Sequence, residues 1–143
     1  MNRMTLFFAW IVSGLLTVIG IMHVYWCFGG KTGTKQVIPT KNGQPLFKPG
    51  KIGTALVALL AWAGAFLLLV QAHVLEVALP AWIPTWICWA MVVALYIRVI
   101  GDFRFIGISK RYKTSLFAKY DSMIYVPLCF TMASLALIVM LRT

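Results

Sequence analysis

The chain has 143 residues and a formal net charge of +10, with 62% hydrophobic and only 11% charged residues. Soluble domains contain about half apolar and about a quarter charged residues, so this composition excludes an ordinary soluble protein, including a soluble nucleic-acid binder. A short, basic and strongly apolar chain is typical of an integral membrane protein whose positive charges lie in its loops.

Four apolar stretches are each near the length of about 20 residues that a helix needs to cross a bilayer. They cover residues 4–28, 52–77, 82–100 and 122–141. The first stretch is too long for the apolar region of a signal peptide and has only Arg3 ahead of it, so we expect a permanent helix. The sequence therefore predicts an all-α integral membrane bundle of four transmembrane helices, in a single domain over residues 1–143.

The first long loop contains the pair Asn42-Gly43 at its centre. Both residues tolerate positive φ, so they suit the two-residue turn of a β-hairpin. Pro39 and Pro45 cannot donate ladder hydrogen bonds, and they restrict any strands here to a short, irregular hairpin. We predict that this loop forms an ordered cap over the inner end of the bundle.

The second long loop has a different pattern, because apolar and aromatic residues recur every three or four positions between Phe105 and Tyr120. Basic residues fill other positions of the same segment. This spacing predicts a basic amphipathic helix that lies in the headgroup layer, between helices three and four.

The positive charge is concentrated in these two loops. Each of the segments 29–51 and 101–121 carries five of the 13 Lys and Arg side chains. Two helices separate the loops, so both lie on one side of the membrane. Because basic loops stay on the inner side, the sequence predicts cytoplasmic loops, both termini outside, and a multi-pass protein of the cell inner (plasma) membrane. The partner that this charge favours is a bilayer with anionic headgroups rather than nucleic acid.

No metal or cofactor is predicted from the histidines and cysteines. His23 lies near the inner end of helix one and His73 near the outer end of helix two, and a rise of about 1.5 Å per residue separates them by most of the bilayer. They cannot share a haem. The cysteines lie at three different depths, and no C-x-x-C motif is present, so a tricysteine metal site is not expected either. These positions are Cys27, Cys88 and Cys129.

Polar side chains from distant parts of the chain gather near the predicted inner end of the bundle. His23 lies one turn before the end of helix one, Arg98 and Asp102 are four residues apart, and Asp121 begins helix four. Ionisable residues at membrane depth are costly and suggest a functional site. A structural interpretation is also open: Arg98 reaches the interface, Asp121 caps a helix, and His23 hydrogen-bonds to a neighbouring helix.

Small residues form one face on each of the first two helices, and such faces let helix backbones approach closely inside a bundle. We predict that both faces pack in the interior. Their members are Ala9, Ser13, Thr17 and Gly20 on helix one, and Ala58, Ala61 and Ala65 on helix two.

Several short motifs follow one another in a set order. They are His23-x-x-Trp26-x-x-Gly29-Gly30, Pro39, Phe47-x-Pro49-Gly50, Gly101-Asp102-Phe103-Arg104, Lys110, Phe117, Asp121 and Pro127-Leu128. With these motifs, nearly the whole chain resembles a bacterial family of small four-helix integral membrane proteins that is defined only as a domain of unknown function. The resemblance implies the architecture and places most of these residues at the inner end. It implies no activity.

Binding at the basic inner face is the favoured functional hypothesis. The protein would be non-catalytic and would bind a lipid, a small amphipathic ligand or a membrane partner there, and a homo-oligomer is a further partner that the sequence leaves open. The basic loops would attract anionic headgroups, at about 1 kcal/mol per Lys or Arg near the surface. The residues predicted to bind the ligand are Trp26, Arg98, Arg104, Lys110 and Arg111.

Two other functions remain open from the sequence. The first is a membrane-embedded enzyme in which His23 acts as acid or base and Asp102 or Asp121 orients it. The second is a small transporter subunit that acts as an oligomer. The predicted outer half of the bundle has too few polar residues to line a pore through one subunit.

Overall fold

The computed structural model describes residues 2–143, which form four helices long and apolar enough to cross a membrane. The fourth of these spans runs from Leu116 to Arg142 and includes a π-helical turn. The predicted all-α bundle of four membrane-spanning helices is confirmed. In chain order, the elements are α1 (Arg3–Cys27), α2 (Thr34–Val37), β1 (Thr40–Lys41), β2 (Gln44–Pro45), α3 (Lys51–Gln71), α4 (Trp82–Ile100), α5 (Leu116–Tyr120), the π-helical turn (Asp121–Tyr125) and α6 (Val126–Arg142).

The long helices pack in the ring order α1, α3, α4, α6, and α6 closes the ring against α1. Successive spans run in opposite directions, which gives an antiparallel up-and-down bundle. One end of the bundle carries the loops 28–50 and 101–115, and we call it the loop face. The opposite end, the far face, carries the link 72–81 together with Asn2 and Thr143.

The close approach of α1 and α3 depends on small residues. Ser13 donates a hydrogen bond from its hydroxyl to the Ala65 carbonyl at 2.9 Å. Gly20 lies against the indole of Trp62, which in turn donates to the Thr17 carbonyl at 3.2 Å. Both predicted small-residue faces are buried except at Thr17, whose side chain is exposed. The prediction that these faces pack inside the bundle is confirmed for the remaining members.

The predicted hairpin is present in the first loop. Thr40 pairs with Pro45 and Lys41 with Gln44, in antiparallel register. The turn residues Asn42 and Gly43 have φ values of 54° and 78°, as a two-residue turn with two left-handed positions requires.

The second loop differs from its prediction. Residues 101–115 are irregular, and helix resumes only at Leu116 as the first turn of the fourth span. The physical reason is that Gly101, Phe103 and Gly107 have φ values of 83°, 61° and 84°, which no right-handed helix accommodates. This corrects the predicted basic amphipathic helix between helices three and four.

The end of the second span is also corrected. Helix α3 stops at Gln71 rather than at 77. His73 has a φ of 50°, and its N–H donates to the Val70 carbonyl while the Val74 N–H reaches back to Leu69. This left-handed cap satisfies the last carbonyls of the helix and turns the chain out of it.

Candidate functional site

A groove of about 610 Å³ lies at the loop face, between the end of α1 and the beginning of α3. The first loop supplies the remaining wall. Most of its lining is apolar, and it contains one histidine and one lysine. The lining residues are His23, Trp26, Gly30, Thr34, Val37, Ile38, Phe47, Lys48, Pro49, Gly50, Gly53, Thr54 and Val57.

His23 contributes a hydrogen-bond acceptor to this groove. Its Nδ1 lies 2.8 Å from the Ile19 carbonyl oxygen, and since a carbonyl can only accept, Nδ1 carries the proton. With the proton on Nδ1, the second ring nitrogen, Nε2, faces the groove as an acceptor whenever the ring carries one proton, and residues 2–143 offer it no hydrogen bond. The predicted hydrogen bond from His23 to a neighbouring helix is not formed, because the partner lies on α1 itself.

The groove wall beside His23 is fixed by aromatic contacts. The His23 and Trp26 rings meet edge to face, with centroids 5.2 Å apart. The indole N–H of Trp26 donates to the Thr32 carbonyl at 2.9 Å, and the Tyr25 hydroxyl donates to the Thr32 hydroxyl at 3.0 Å. A side chain at Gly30 would collide with the Tyr25 ring, so this glycine lets the loop fold back tightly against α1. The start of the first loop is thus tied to the helix that it follows.

A second group of polar residues is buried at the loop face, and we call it the ion cluster. It consists of Arg98, Lys110 and Asp121. The Asp121 carboxylate is fully buried and accepts from Arg98 Nη2 at 2.6 Å and from Lys110 Nζ at 2.9 Å. It also accepts from the Gly107 N–H at 2.9 Å, and Lys110 Nζ donates to the Gly107 carbonyl at 3.0 Å.

The path of the second loop explains how Lys110 reaches Asp121. The Ile108 N–H donates to the Val99 carbonyl at 2.9 Å, so the loop folds back onto the end of α4. Gly101 and Gly107 cross there with their backbones in contact, and a Cβ on Gly107 would lie 2.5 Å from the Ile100 carbonyl oxygen. Only glycine fits this crossing, which places Gly107 and Lys110 over Asp121.

Asp102 holds the start of this loop. One of its carboxylate oxygens accepts three backbone N–H groups, from Arg104 at 2.9 Å, Phe105 at 2.7 Å and Ile106 at 2.9 Å. Partial burial opposes ionisation, but the backbone hydrogen bonds outweigh it and hold the pKa of the Asp102 carboxyl below its ordinary value. Asp102 is therefore occupied in shaping the loop.

The π-helical turn carries Asp121 at its first position. The Val126 N–H donates to the Asp121 carbonyl, five residues back. Pro127 follows directly, and it lacks an N–H and crowds the carbonyl four residues before it, which favours a widened turn at this place.

The structure divides the predicted site residues among three places. His23 and Trp26 line the groove. Arg98, Lys110 and Asp121 form the ion cluster. Asp102, Arg104 and Arg111 lie exposed on the second loop.

Two of the sequence expectations for these residues have no support in the geometry. His23 forms no hydrogen bond with Asp102 or Asp121 in the part of the chain that the structure describes, so neither carboxylate orients it there. Lys110 was expected at a basic surface, but it is only 4% exposed and its donors are used internally. This placement favours a structural role for Lys110 over ligand contact.

Other groove residues were not predicted as site residues. Lys48, Gly53 and Val57 lie around the beginning of α3, and Phe47 precedes them in the loop. The only sequence signal was the Phe47-x-Pro49-Gly50 motif, which marks a turn without indicating that it faces α1.

Comparison with known proteins yields a family. No curated protein and no solved structure matches the chain. One family does match, and it confirms the sequence resemblance to a domain of unknown function. Residues 16–136 match the family described as "Protein of unknown function (DUF3995)", and because this match covers most of the 143 residues, the chain belongs to that family.

Proposed function

We propose that the protein binds an amphipathic ligand, a lipid or a small lipid-like molecule, in the groove at the loop face. The observation that carries this proposal is the division of the groove lining. Val37, Ile38 and Val57 give it an apolar wall, while His23 and Lys48 provide an acceptor and a positive charge. A ligand with an apolar tail and a polar head matches both parts.

The size and position of the groove support the same conclusion. Its volume of about 610 Å³ falls within the range of about 300–1,000 Å³ that is usual for small-molecule sites. Ile52, beside Gly53 at the start of α3, is 88% exposed on a helix apolar enough to cross a membrane. This apolar surface beside the groove supports entry of a tail from the bilayer, and burying the tail against the apolar wall would contribute about 25 cal/mol per Å².

Charge at the loop face favours an anionic head. Lys48 lines the groove, and four further lysines lie in or directly after the same loop: Lys31, Lys35, Lys41 and Lys51. A basic surface attracts anionic lipids with a free energy of about 1 kcal/mol per nearby Lys or Arg, and so raises their local concentration. A hydroxyl on the head would in addition donate to Nε2 of His23.

The test uses two glycines that both have room for a side chain, of which only one lines the groove. A Cβ at Gly53, in the groove, or at Gly14, on the lipid-exposed side of α1, meets no atom within 4 Å. Gly53→Leu adds a side chain to the groove lining from a Cβ that meets no atom, and Gly14→Leu is its matched control. Lipids that remain with the purified proteins are quantified by mass spectrometry, and binding of a short-chain fluorescent phosphatidylglycerol is titrated in neutral detergent.

We expect Gly53→Leu to weaken binding by about tenfold or more, as the loss of about 1.4 kcal/mol of tail contact requires. Gly14→Leu should bind as the unmodified protein does. Equal binding by all three proteins would refute the proposal, and so would equal losses in both variants.

A further inference from the structure

Arg98 carries a charge that the protein does not balance. The ion cluster contains two cations and one carboxylate, which leaves one net positive charge in contact with the membrane-spanning region. Unbalanced charge at membrane depth is costly. We propose that Arg98 binds a phosphate group of a lipid headgroup, at a site separate from the groove.

The guanidinium has unused donors for such a group. Asp121 accepts from Nη2, whereas Nη1 is buried and has no partner among residues 2–143. No hydrogen bond from Nε of Arg98 is present in this part of the chain either. The planar guanidinium presents five N–H donors in a fork that matches phosphate oxygens. Nη2 donates to Asp121, and the unpaired Nε–H, which is not enclosed as Nη1 is, donates to the phosphate oxygen.

The side chain is accessible from the membrane boundary. Arg98 lies in the last turn of α4, and its side chain is 32% exposed, unlike the fully enclosed Lys110 and Asp121. Its neighbours Ile97 and Ile100 are more than half exposed, as lipid-facing residues are. Phosphate groups of a bilayer lie at this level, where a helix ends and the polar loops begin.

Asp121 and Lys110 hold the guanidinium in place for this purpose. The carboxylate is fixed by three donors, including the Gly107 N–H, and it fixes Nη2 at 2.6 Å. A rigid charged hydrogen bond reduces the side-chain entropy that binding must overcome. Asp121 is thus a positioning residue, and Arg98 makes the contact.

Arg98→Gln is the test variant, because it leaves the Asp121–Lys110 pair balanced. Arg104→Gln is the matched control, since it removes one charge from an exposed position at the same face. Both changes are made in the Gly53→Leu background, so that the groove is filled and a failure of the groove proposal does not affect this result. The probes are short-chain phosphatidylglycerol, a phosphate-free diacylglycerol of equal chain length, and inorganic phosphate, titrated against the protein in neutral detergent.

We expect Arg98→Gln to weaken phosphatidylglycerol binding by about tenfold or more, as the loss of a charged hydrogen bond implies, and Arg104→Gln by much less. Diacylglycerol should bind equally to the Arg98→Gln and Arg104→Gln variants. If Arg98→Gln does not fold, Arg98→Lys takes its place, with Arg104→Lys as the control. Arg98→Lys keeps the positive charge but removes the planar guanidinium, so it should weaken phosphatidylglycerol binding more than Arg104→Lys does.

If the Arg98 and Arg104 variants lost phosphatidylglycerol affinity equally, general surface charge would explain the effect and the proposal would be overturned. Tight binding of inorganic phosphate that depends on Arg98 would confirm an oxyanion site but overturn the lipid as its source.

Discussion

Asp121→Asn should be among the most destabilising conservative substitutions in the chain. The substitution removes one negative charge and changes the shape of the side chain little. Lys110, with a side chain only 2% exposed, would then keep its positive charge without a counter-ion. Removing one partner of a buried ion pair costs about 3–5 kcal/mol. Arg98 contributes less to this loss, because a third of its side chain reaches the boundary and is screened there.

Lys110→Met provides the comparison that separates charge from packing. The variant keeps the bulk of the side chain and leaves Asp121 paired with Arg98. The remaining loss is the pair of hydrogen bonds to Asp121 and to the Gly107 carbonyl, which amounts to about 1–3 kcal/mol. In the double variant Lys110→Met/Asp121→Asn no enclosed charge is left unpaired. Its destabilisation should therefore be smaller than the sum of the two single losses by at least about 1 kcal/mol.

The assay is thermal unfolding of the purified variants in one detergent, with the midpoint Tm as the readout. A change of 1 kcal/mol shifts Tm by several degrees for a chain of this size, so the expected order is resolvable. Asp121→Asn should lower Tm more than Lys110→Met does, and the double variant should lower it by less than the sum of the two single effects. The reasoning would be refuted if Asp121→Asn stayed within about 1 kcal/mol of the unmodified protein, or if the single losses were simply additive.

Three further outcomes are expected from individual contacts. Gly107→Ala places a Cβ 2.5 Å from the Ile100 carbonyl oxygen at a φ of 84°, so it should loosen the second loop. Trypsin should then cleave this loop faster, and an unchanged cleavage rate would contradict the tight crossing of Gly101 and Gly107. Asp102 has a lowered pKa, so its ionised form stabilises the loop above the unfolded pKa of about 4, and that contribution disappears as the pH falls through the lower folded pKa. The protection of the Phe105 amide against hydrogen exchange, measured relative to its intrinsic rate, should fall only in that acid range. Asp102→Asn, which keeps an acceptor, should lack this pH dependence. Gly20→Ala drives a methyl group into the Trp62 indole and should lower Tm by the equivalent of about 1–3 kcal/mol, whereas an unchanged Tm would show that the indole moves freely.

Local patterns in the sequence were sufficient for the number of spans, the burial of the small-residue faces and the hairpin. Each depends on residues close together in the chain: runs of apolar residues, small residues at helical spacing such as Ala61 and Ala65, and Asn42-Gly43 at a turn. Such signals act within one element, so they keep their meaning when the other elements are unknown. The placement of both long loops in the cytoplasm follows from charge alone and stays a prediction.

The second loop could not be predicted from its spacing. Apolar residues recur from Phe105 to Tyr120 as they would in a helix, but Gly101 and Gly107 turn the chain back at φ values outside the helical region. The folded-back loop is favoured over a helix by two contacts with the Asp121 carboxylate. One comes from Lys110, eleven residues before it, and the other from the Gly107 N–H. A contact between the loop and the following span therefore overrides the periodicity, and the residue spacing alone does not reveal that contact.

Contacts between the two long loops connect the groove with the ion cluster. Lys41, in the hairpin of the first loop, lies over the ring of Tyr112 at 5.3 Å, and Tyr112 stacks on Phe105 with centroids 5.0 Å apart. Helix α2, which lines the groove through Thr34 and Val37, packs on α5 at the start of the fourth span. The first loop thus rests on the second, and the second is held by the ion cluster. Because the groove wall depends on this stack, loss of Asp121 should loosen the groove as well as the cluster.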